Sequence, residues 1–139
     1  MNILIASDSE IMTHLVRLLY DENHNISIFC PEQYQDEIAQ TYDVMTYSGD
    51  PTSIDDLKNA QIHKMDLVII LYKDTRTSLL SSIICKNLGA GRCIAKVNDA
   101  TYSVGESRQL FKSLGVDYVV CPEKIVAKEI TNLINVTAA

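Results

Sequence analysis

Apolar residues in this chain change period repeatedly, from short unbroken runs to helical spacing and back. Asn2-Ile3-Leu4-Ile5-Ala6 is a strand-like run, and beyond Ser7 to Glu10 the residues Ile11, Met12, Leu15, Val16, Leu18 and Leu19 mark one face of a helix. A second strand is predicted over Ile26 to Cys30. Pro31 then opens a polar stretch to Tyr42 with room for a short helix, and Asp43 to Tyr47 reads as a third strand. Gly49-Asp50-Pro51 breaks the chain before a brief helix at Ser53 to Leu57, where Ser53 and Asp56 stand at capping-box spacing. Asp66 to Leu71 is the clearest strand. Thr75 to Leu88 predicts a helix with Leu79, Leu80, Ile83, Ile84 and Leu88 on its apolar face, and Gly89 stops it. A fifth strand at Cys93 to Val97 precedes a helix carrying Leu110, Phe111 and Leu114 and ending at Gly115. Tyr118 to Val120 is the sixth strand, and Pro122 starts a last helix with Ile125, Val126, Ile130, Leu133 and Ile134.

Strands that are apolar at successive positions belong to sheets covered on both faces, and alternation with helices implies right-handed crossovers. The predicted fold is a doubly wound α/β domain with a mostly parallel six-stranded sheet, Rossmann-like, of order 3-2-1-4-5-6. That order places a ligand at the switch point beside the carboxyl end of the first strand, at Ser7 to Glu10.

Composition narrows the function. The 139 residues are 47% apolar and 22% charged, enough for one core without disulfides or structural metal, and a single domain over 1–139 is expected. A net charge of −6 argues against a partner held through phosphate-backbone attraction, so nucleic acid is not expected. No apolar run approaches the roughly 20 residues of a membrane span, and the expected location is the cytoplasm. Cys30, Cys85, Cys93 and Cys121 form no C-x-x-C pair and have no histidines at ligand spacing, so reduced thiols, mostly buried, are expected and no metal site.

The opening Met1-Asn2-Ile3-Leu4-Ile5-Ala6, the Gly49-Asp50 step, Asp66-Leu67-Val68-Ile69-Ile70-Leu71 and Lys86-Asn87-Leu88-Gly89-Ala90 follow one another in a particular order and spacing. Ala95-Lys96-Val97-Asn98-Asp99 with Tyr102, then Leu114-Gly115-Val116-Asp117 and Pro122-Glu123-Lys124, extend the pattern nearly to the end. In this the chain resembles the TrkA-N (RCK/KTN) family. The resemblance implies a nucleotide-binding lobe that regulates potassium channels and transporters, binds NAD(H) or an adenine nucleotide (ATP, ADP or AMP) at its first turn, and forms dimers or rings. The partner it implies is the membrane subunit of a potassium channel or transporter. The family's usual second lobe is not expected within this chain.

The first turn departs from the family pattern. Where G-x-G-x-x-G is usual, this chain has Ser7, Ser9 and Met12. Those glycines serve a tight turn, close backbone approach to pyrophosphate and close packing of helix on strand. Asp8 and Glu10 add carboxylates; at about 5 Å and an effective dielectric near 20, each would repel a phosphate charge by about 3 kcal/mol before solvent screening. Ser7 and Glu10 also stand at capping-box spacing, which would satisfy the first helical amides internally. The acidic residue that normally grips ribose at the end of the second strand is matched by Cys30, with Glu32 as a substitute if the register shifts. Asp50 either accepts from a base or simply bends the chain ahead of a helix. Lys73, Arg76 and Lys96 either converge on an anion at the carboxyl edge of the sheet or form a solvated face. His14, His24 and His63 are separated and make no acid–base pair, so no catalytic residue is expected. The function expected is a non-enzymatic regulatory lobe of a potassium uptake or efflux system, with a degenerate dinucleotide motif and weak or altered nucleotide binding. The alternatives are a dimerisation scaffold without ligand, a sensor of AMP or adenosine type, and a small NAD-dependent oxidoreductase.

Overall fold

A computed structural model of the chain describes residues 1–121 and 130–135. Six parallel strands, β1 (Asn2–Ser7), β2 (Asn25–Phe29), β3 (Met45–Tyr47), β4 (Leu67–Leu71), β5 (Arg92–Lys96) and β6 (Tyr118–Val120), form one sheet in the order β3-β2-β1-β4-β5-β6. Between them run α1 (Ile11–Tyr20), α2 (Glu32–Thr41), α3 (Ile54–Asn59), α4 (Thr75–Asn87) and α5 (Gly105–Leu114). The fold class and strand order are those the apolar pattern predicts.

Side chains on a strand point alternately to opposite faces, so an unbroken apolar strand feeds two cores. In β1, Ile3 and Ile5 pack with Leu15, Val16 and Leu19 of α1, whereas Leu4 and Ala6 pack with Leu57 of α3 and Cys85 of α4. β4 divides in the same way and is buried at every position. Ile130 and Ile134, in a helical stretch over 130–135, are fully buried in the α1 core. The expected helix start at Pro122 and the apolar positions Ile125 and Val126 lie outside the described residues.

Two helices depart from the predicted apolar faces. In α4 the buried positions are Ser78, Leu79, Ser81, Ser82 and Cys85, while Leu80, placed on the apolar face by spacing, is 49% exposed. Small residues let the helix axis approach β4 and β5, so the larger Ile83 and Ile84 end on its flanks, half-buried. In α5 no residue is fully buried, and Leu110 and Leu114 are 53% and 43% exposed. Phe111 faces inward against Tyr102, with ring centroids 5.7 Å apart, because α5 packs at the β6 edge of the sheet, where little of it can be covered.

Gly89 and Gly115 end their helices as expected, and in each case the following amide reaches back to a carbonyl five residues earlier. Ala90 donates to Cys85 O at 3.1 Å and Val116 to Phe111 O at 2.8 Å. Gly115 has φ +123°, and a Cβ there would stand 2.7 Å from Lys86 Cβ. That close approach brings Lys86 Nζ to 3.1 Å from Asp117 Oδ2, while the same carboxylate oxygen accepts from the Cys93 amide at 2.8 Å. Gly115→Ala combines backbone strain with a clash, so we expect a loss of about 1–3 kcal/mol in urea unfolding. A loss below about 0.5 kcal/mol would show that the Lys86 side chain simply moves aside.

Candidate functional site

The carboxyl edge of the sheet begins at Ser7, the last residue of β1, which is completely buried. Its hydroxyl donates to Leu71 O of β4 at 3.3 Å and accepts from the Ser9 amide at 3.1 Å. One side chain therefore ties the ends of the two central strands together and closes the turn that glycine usually makes. The capping box suggested by Ser7 and Glu10 does not form. Glu10 is the N-cap with helical backbone angles and no side-chain capping bond, since the Ser7 hydroxyl is engaged with its own turn. Met12 fills the position where a glycine would let α1 settle onto β1. It is fully buried among Ile3, Ile5, Ile69 and Leu71, so the space between helix and sheet is occupied by a thioether side chain.

Asp8 leaves the edge of β1 and reaches across to the loop after β4, where its Oδ1 accepts from the Lys73 amide at 3.2 Å. Ser9 is half-buried and Glu10 exposed. A second polar hinge holds the β4 loop itself: Ser78 Oγ accepts from the Tyr72 amide at 3.1 Å and donates to Tyr72 O at 3.2 Å. The Asp74 carboxylate caps α4 by accepting from Thr77 N at 3.1 Å, and these Thr77 bonds hold the carboxyl below the usual range.

Between these turns and the ends of β2 and β3 lies a crevice of about 350 Å³. Asp8, Cys30 and Asp50 of the expected residues line it, together with Phe29, Pro31, Pro51, Tyr72 and Thr77. Glu32 points away as the exposed first residue of α2. Lys73 and Arg76 are exposed and Lys96 is half-buried, and none of the three lines the crevice. Arg76 instead borders a shallow apolar recess with Leu79, Leu80, Ile83, Tyr102 and Phe111. Among the described residues the lining therefore holds the carboxylates of Asp8 and Asp50 and no cation.

Asp50 makes an Asx turn at the rim. Its Oδ1 accepts from Thr52 N at 2.8 Å and from Thr52 Oγ1 at 2.7 Å, and these bonds hold its carboxyl below the usual range. Its own amide donates to Asp56 Oδ2 at 2.8 Å. Ser53 Oγ accepts from Asp56 N at 3.2 Å, so the predicted cap of α3 forms on the serine side while the acid is diverted to Asp50.

Tyr72 is the crevice residue that the sequence argument misses. It is only 6% exposed, and burial, followed by the nearby Asp8 charge, pushes its phenol up, so the hydroxyl stays protonated. Tyr72 directly follows Leu71, the last residue of β4, so its place at the carboxyl edge is legible from the strand run, whereas its burial is not. Cys30 is buried at the end of β2, and burial pushes its thiol up to about 11, leaving a neutral group where a ribose-binding carboxylate would otherwise stand. A larger recess of about 460 Å³, bordered by Asn2, His24, Asn25 and Lys64, opens at the amino ends of β1 and β2. The carboxyl-edge crevice is the stronger candidate, since in open parallel sheets helix starts and loop amides converge there. Among the described residues no cluster of three or more His, Cys, Asp or Glu side chains could hold a metal ion.

A doubly wound parallel sheet with its crevice at the switch point defines an α/β domain of the nucleotide-binding type. The chain belongs to the TrkA-N domain family, whose signature matches residues 3–122. It is 28% identical over its full length to a Trk system potassium uptake protein TrkA homolog of Archaeoglobus fulgidus, and spans 31% of that protein's length. The TrkA-N domain of the inner membrane protein ybaL of Escherichia coli superposes with a TM-score of 0.76 at 12% identity, covering 96% of each chain. The GsuK channel bound to NAD superposes with a TM-score of 0.71 at 18% identity over 86% of this chain and 21% of its own. At such identities the structural likeness establishes the fold alone.

Burial sets an order of thiol reactivity: Cys30, Cys85 and Cys93 are buried, Cys121 partly open, and burial also pushes Cys85 up to about 12. We expect iodoacetamide at about pH 8 to label Cys121 ahead of the other three, as followed by peptide mass mapping. Labelling of Cys30 as fast as Cys121 would mean that the crevice opens fully in solution.

Proposed function

We propose that this domain is a regulatory lobe of a potassium uptake or efflux system, docked from the cytoplasm on a membrane subunit, and that it is not an enzyme. The observation that carries the reading is the family match over residues 3–122, joined to relatives named for potassium uptake. No helix among the described residues is long and apolar enough to cross a membrane. The output is a conformational bias, and a ligand can transmit it only by binding two states of the lobe with different affinity. Ser7, Ser9 and Met12 in place of glycine, with Asp8 at the crevice, support weak or altered binding of NAD(H) and adenine nucleotides. The histidines favour no oxidoreductase: His14 and His63 are exposed, and His24 lies 3.2 Å from the terminal amine and 3.4 Å from Glu22.

Exposed leucines support the further reading that lobes associate in pairs. Leu80, Leu110, Leu114 and Val104, the last 63% exposed, leave an apolar surface on α4, α5 and the turn before α5. Light scattering at increasing protein concentration should show a dimer, and Leu110→Glu should shift it to monomer without lowering the unfolding midpoint. A wild-type protein monomeric at all concentrations would remove this part of the proposal.

The transport reading is tested in the source cell. Deleting the coding region should change rubidium uptake under potassium limitation several-fold, with restoration by the intact protein. Unchanged uptake, with no potassium-dependent growth defect, would sink it.

A further inference from the structure

The two faces of β2 are unlike. Ile26 and Ile28 point into the α1 core, whereas Asn25 and Ser27 alternate with them on the other face. Polar residues there break the rule that a doubly covered strand is apolar on both sides, and the cause is the short helix above them. α3 has six residues; its Leu57, with Ala60 just beyond it, packs on Leu4 and Phe29. The chain then turns at Gln61, φ +60°, into the short turn Ile62–Lys64. Asn25 and Ser27, with Met45 and Tyr47 of β3 beside them, are left to line the recess of about 460 Å³ at the amino ends of the strands. It shares no lining residue with the carboxyl-edge crevice.

The charges of this recess are separated across it. Lys64 stands beside the start of β1, where its carbonyl accepts from Asn2 Nδ2 at 3.3 Å, and Asp43 stands just ahead of β3. Since β2 lies between β1 and β3, two strand spacings, about 10 Å, separate the two backbones. Both side chains are exposed, and neither has an ion-pair partner among the described residues. Between them, Ser27 Oγ and Tyr47 Oη make no hydrogen bond within the described protein. The apolar part comes from Met45, 61% exposed, and Met65, and thioether side chains adapt to irregular shapes. His24 at the rim is already engaged by the terminal amine and Glu22.

A cation and a carboxylate on opposite sides of a hydroxyl-bearing floor match a ligand that carries both charges. Phosphate would satisfy Lys64 and be repelled by Asp43; a polyamine would meet the reverse. The flexible stem of Lys64 shortens the span that the ligand has to bridge. Small-molecule pockets run from about 300 to 1,000 Å³, so the volume suits a compact molecule.

We propose that this recess binds a small zwitterion of the amino-acid class, its carboxylate on Lys64, its ammonium on Asp43 and an apolar side chain against Met45 and Met65. Ser27 and Tyr47 supply hydroxyls to the polar end of the ligand. The site is separate from the carboxyl-edge crevice, and neither reading depends on the other.

Two-dimensional amide NMR of the intact chain, titrated with L-leucine, L-methionine, L-glutamate, L-lysine, N-acetyl-L-leucine and L-leucine methyl ester, tests the proposal. Leucine and methionine should shift the amides of Ser27, Met45 and Gln61 and leave those of Asp8 and Thr52 in place. The acetylated form lacks the ammonium and the ester lacks the carboxylate, so each should bind about tenfold or more weakly than leucine. Glutamate and lysine, whose extra charge would meet the methionines, should be weaker by a similar factor. Lys64→Met should weaken leucine about fivefold or more and leave the ester unaffected, while Asp43→Asn should do the same for leucine and leave the acetylated form unaffected. Both residues are exposed, so the unfolding midpoint should not change. Absence of shifts with every ligand at about 10 mM, equal binding of the acetylated or esterified form, or shifts confined to the crevice would overturn the proposal. So would shifts at Ser27 and Met45 that grow with protein concentration alone, since a second copy of the chain would then cover this face.

Discussion

The two central strands, β1 and β4, must bury both of their faces, and the architecture follows from that requirement. Each sends alternate side chains to opposite cores, Ile3, Ile5, Ile69 and Leu71 to one and Leu4, Ala6, Val68 and Ile70 to the other. Fully burying a side chain of this size is worth about 1.5–3 kcal/mol, so neither face can be left to solvent. Helices therefore cover both sides, α1 on one and α3 with α4 on the other. Reversal of winding direction between β1 and β4 then opens a crevice at their carboxyl ends. The fold places a site there whatever residues line it.

Ser7 is where this scaffold and the site meet. Its hydroxyl joins the ends of β1 and β4 and holds the Ser9 amide, so the turn closes by a side-chain hydrogen bond. Once that turn is satisfied internally and Met12 fills the gap under α1, the fold no longer requires glycine at these positions. The scaffold therefore stands without a glycine pattern at this turn. Asp8 is likewise held by an internal bond, from the Lys73 amide of the loop after β4.

At the opposite end of β5 and β6 the motif residues serve stability. Gly115 lets α5 end against Lys86, and Lys86 and Arg92 flank Asp117 at 3.1 and 3.6 Å while that carboxylate also takes the Cys93 amide. The Arg108 guanidinium donates to the carbonyls of Val116 and Asp117. Lys86 and Asp117 are largely covered, so their pairing is less screened than an exposed ion pair, and the backbone partners satisfy the remaining polar groups. Residues that make the family recognisable are thus divided between this clamp and the crevice.

Strand number, parallel winding and strand order were legible from the sequence, because unbroken apolar runs alternating with helical spacing admit few other packings. The glycine stops at Gly89 and Gly115 were legible too, since a left-handed turn requires that residue. Spacing misplaced the buried faces of α4 and α5, because it records which positions are apolar and not how closely a helix sits on the sheet or how much sheet lies beneath it. Asp8 and Cys30 could be assigned to the crevice because each directly follows a strand, and Asp50 through the resemblance carried by the Gly49-Asp50 step. The burial of Tyr72 and the exclusion of Lys73, Arg76 and Lys96 from the lining were decided only by tertiary structure. Side-chain direction past a strand end depends on hydrogen bonds to distant loops, here from Asp8 to Lys73 and from Ser78 to Tyr72, and no local pattern encodes those.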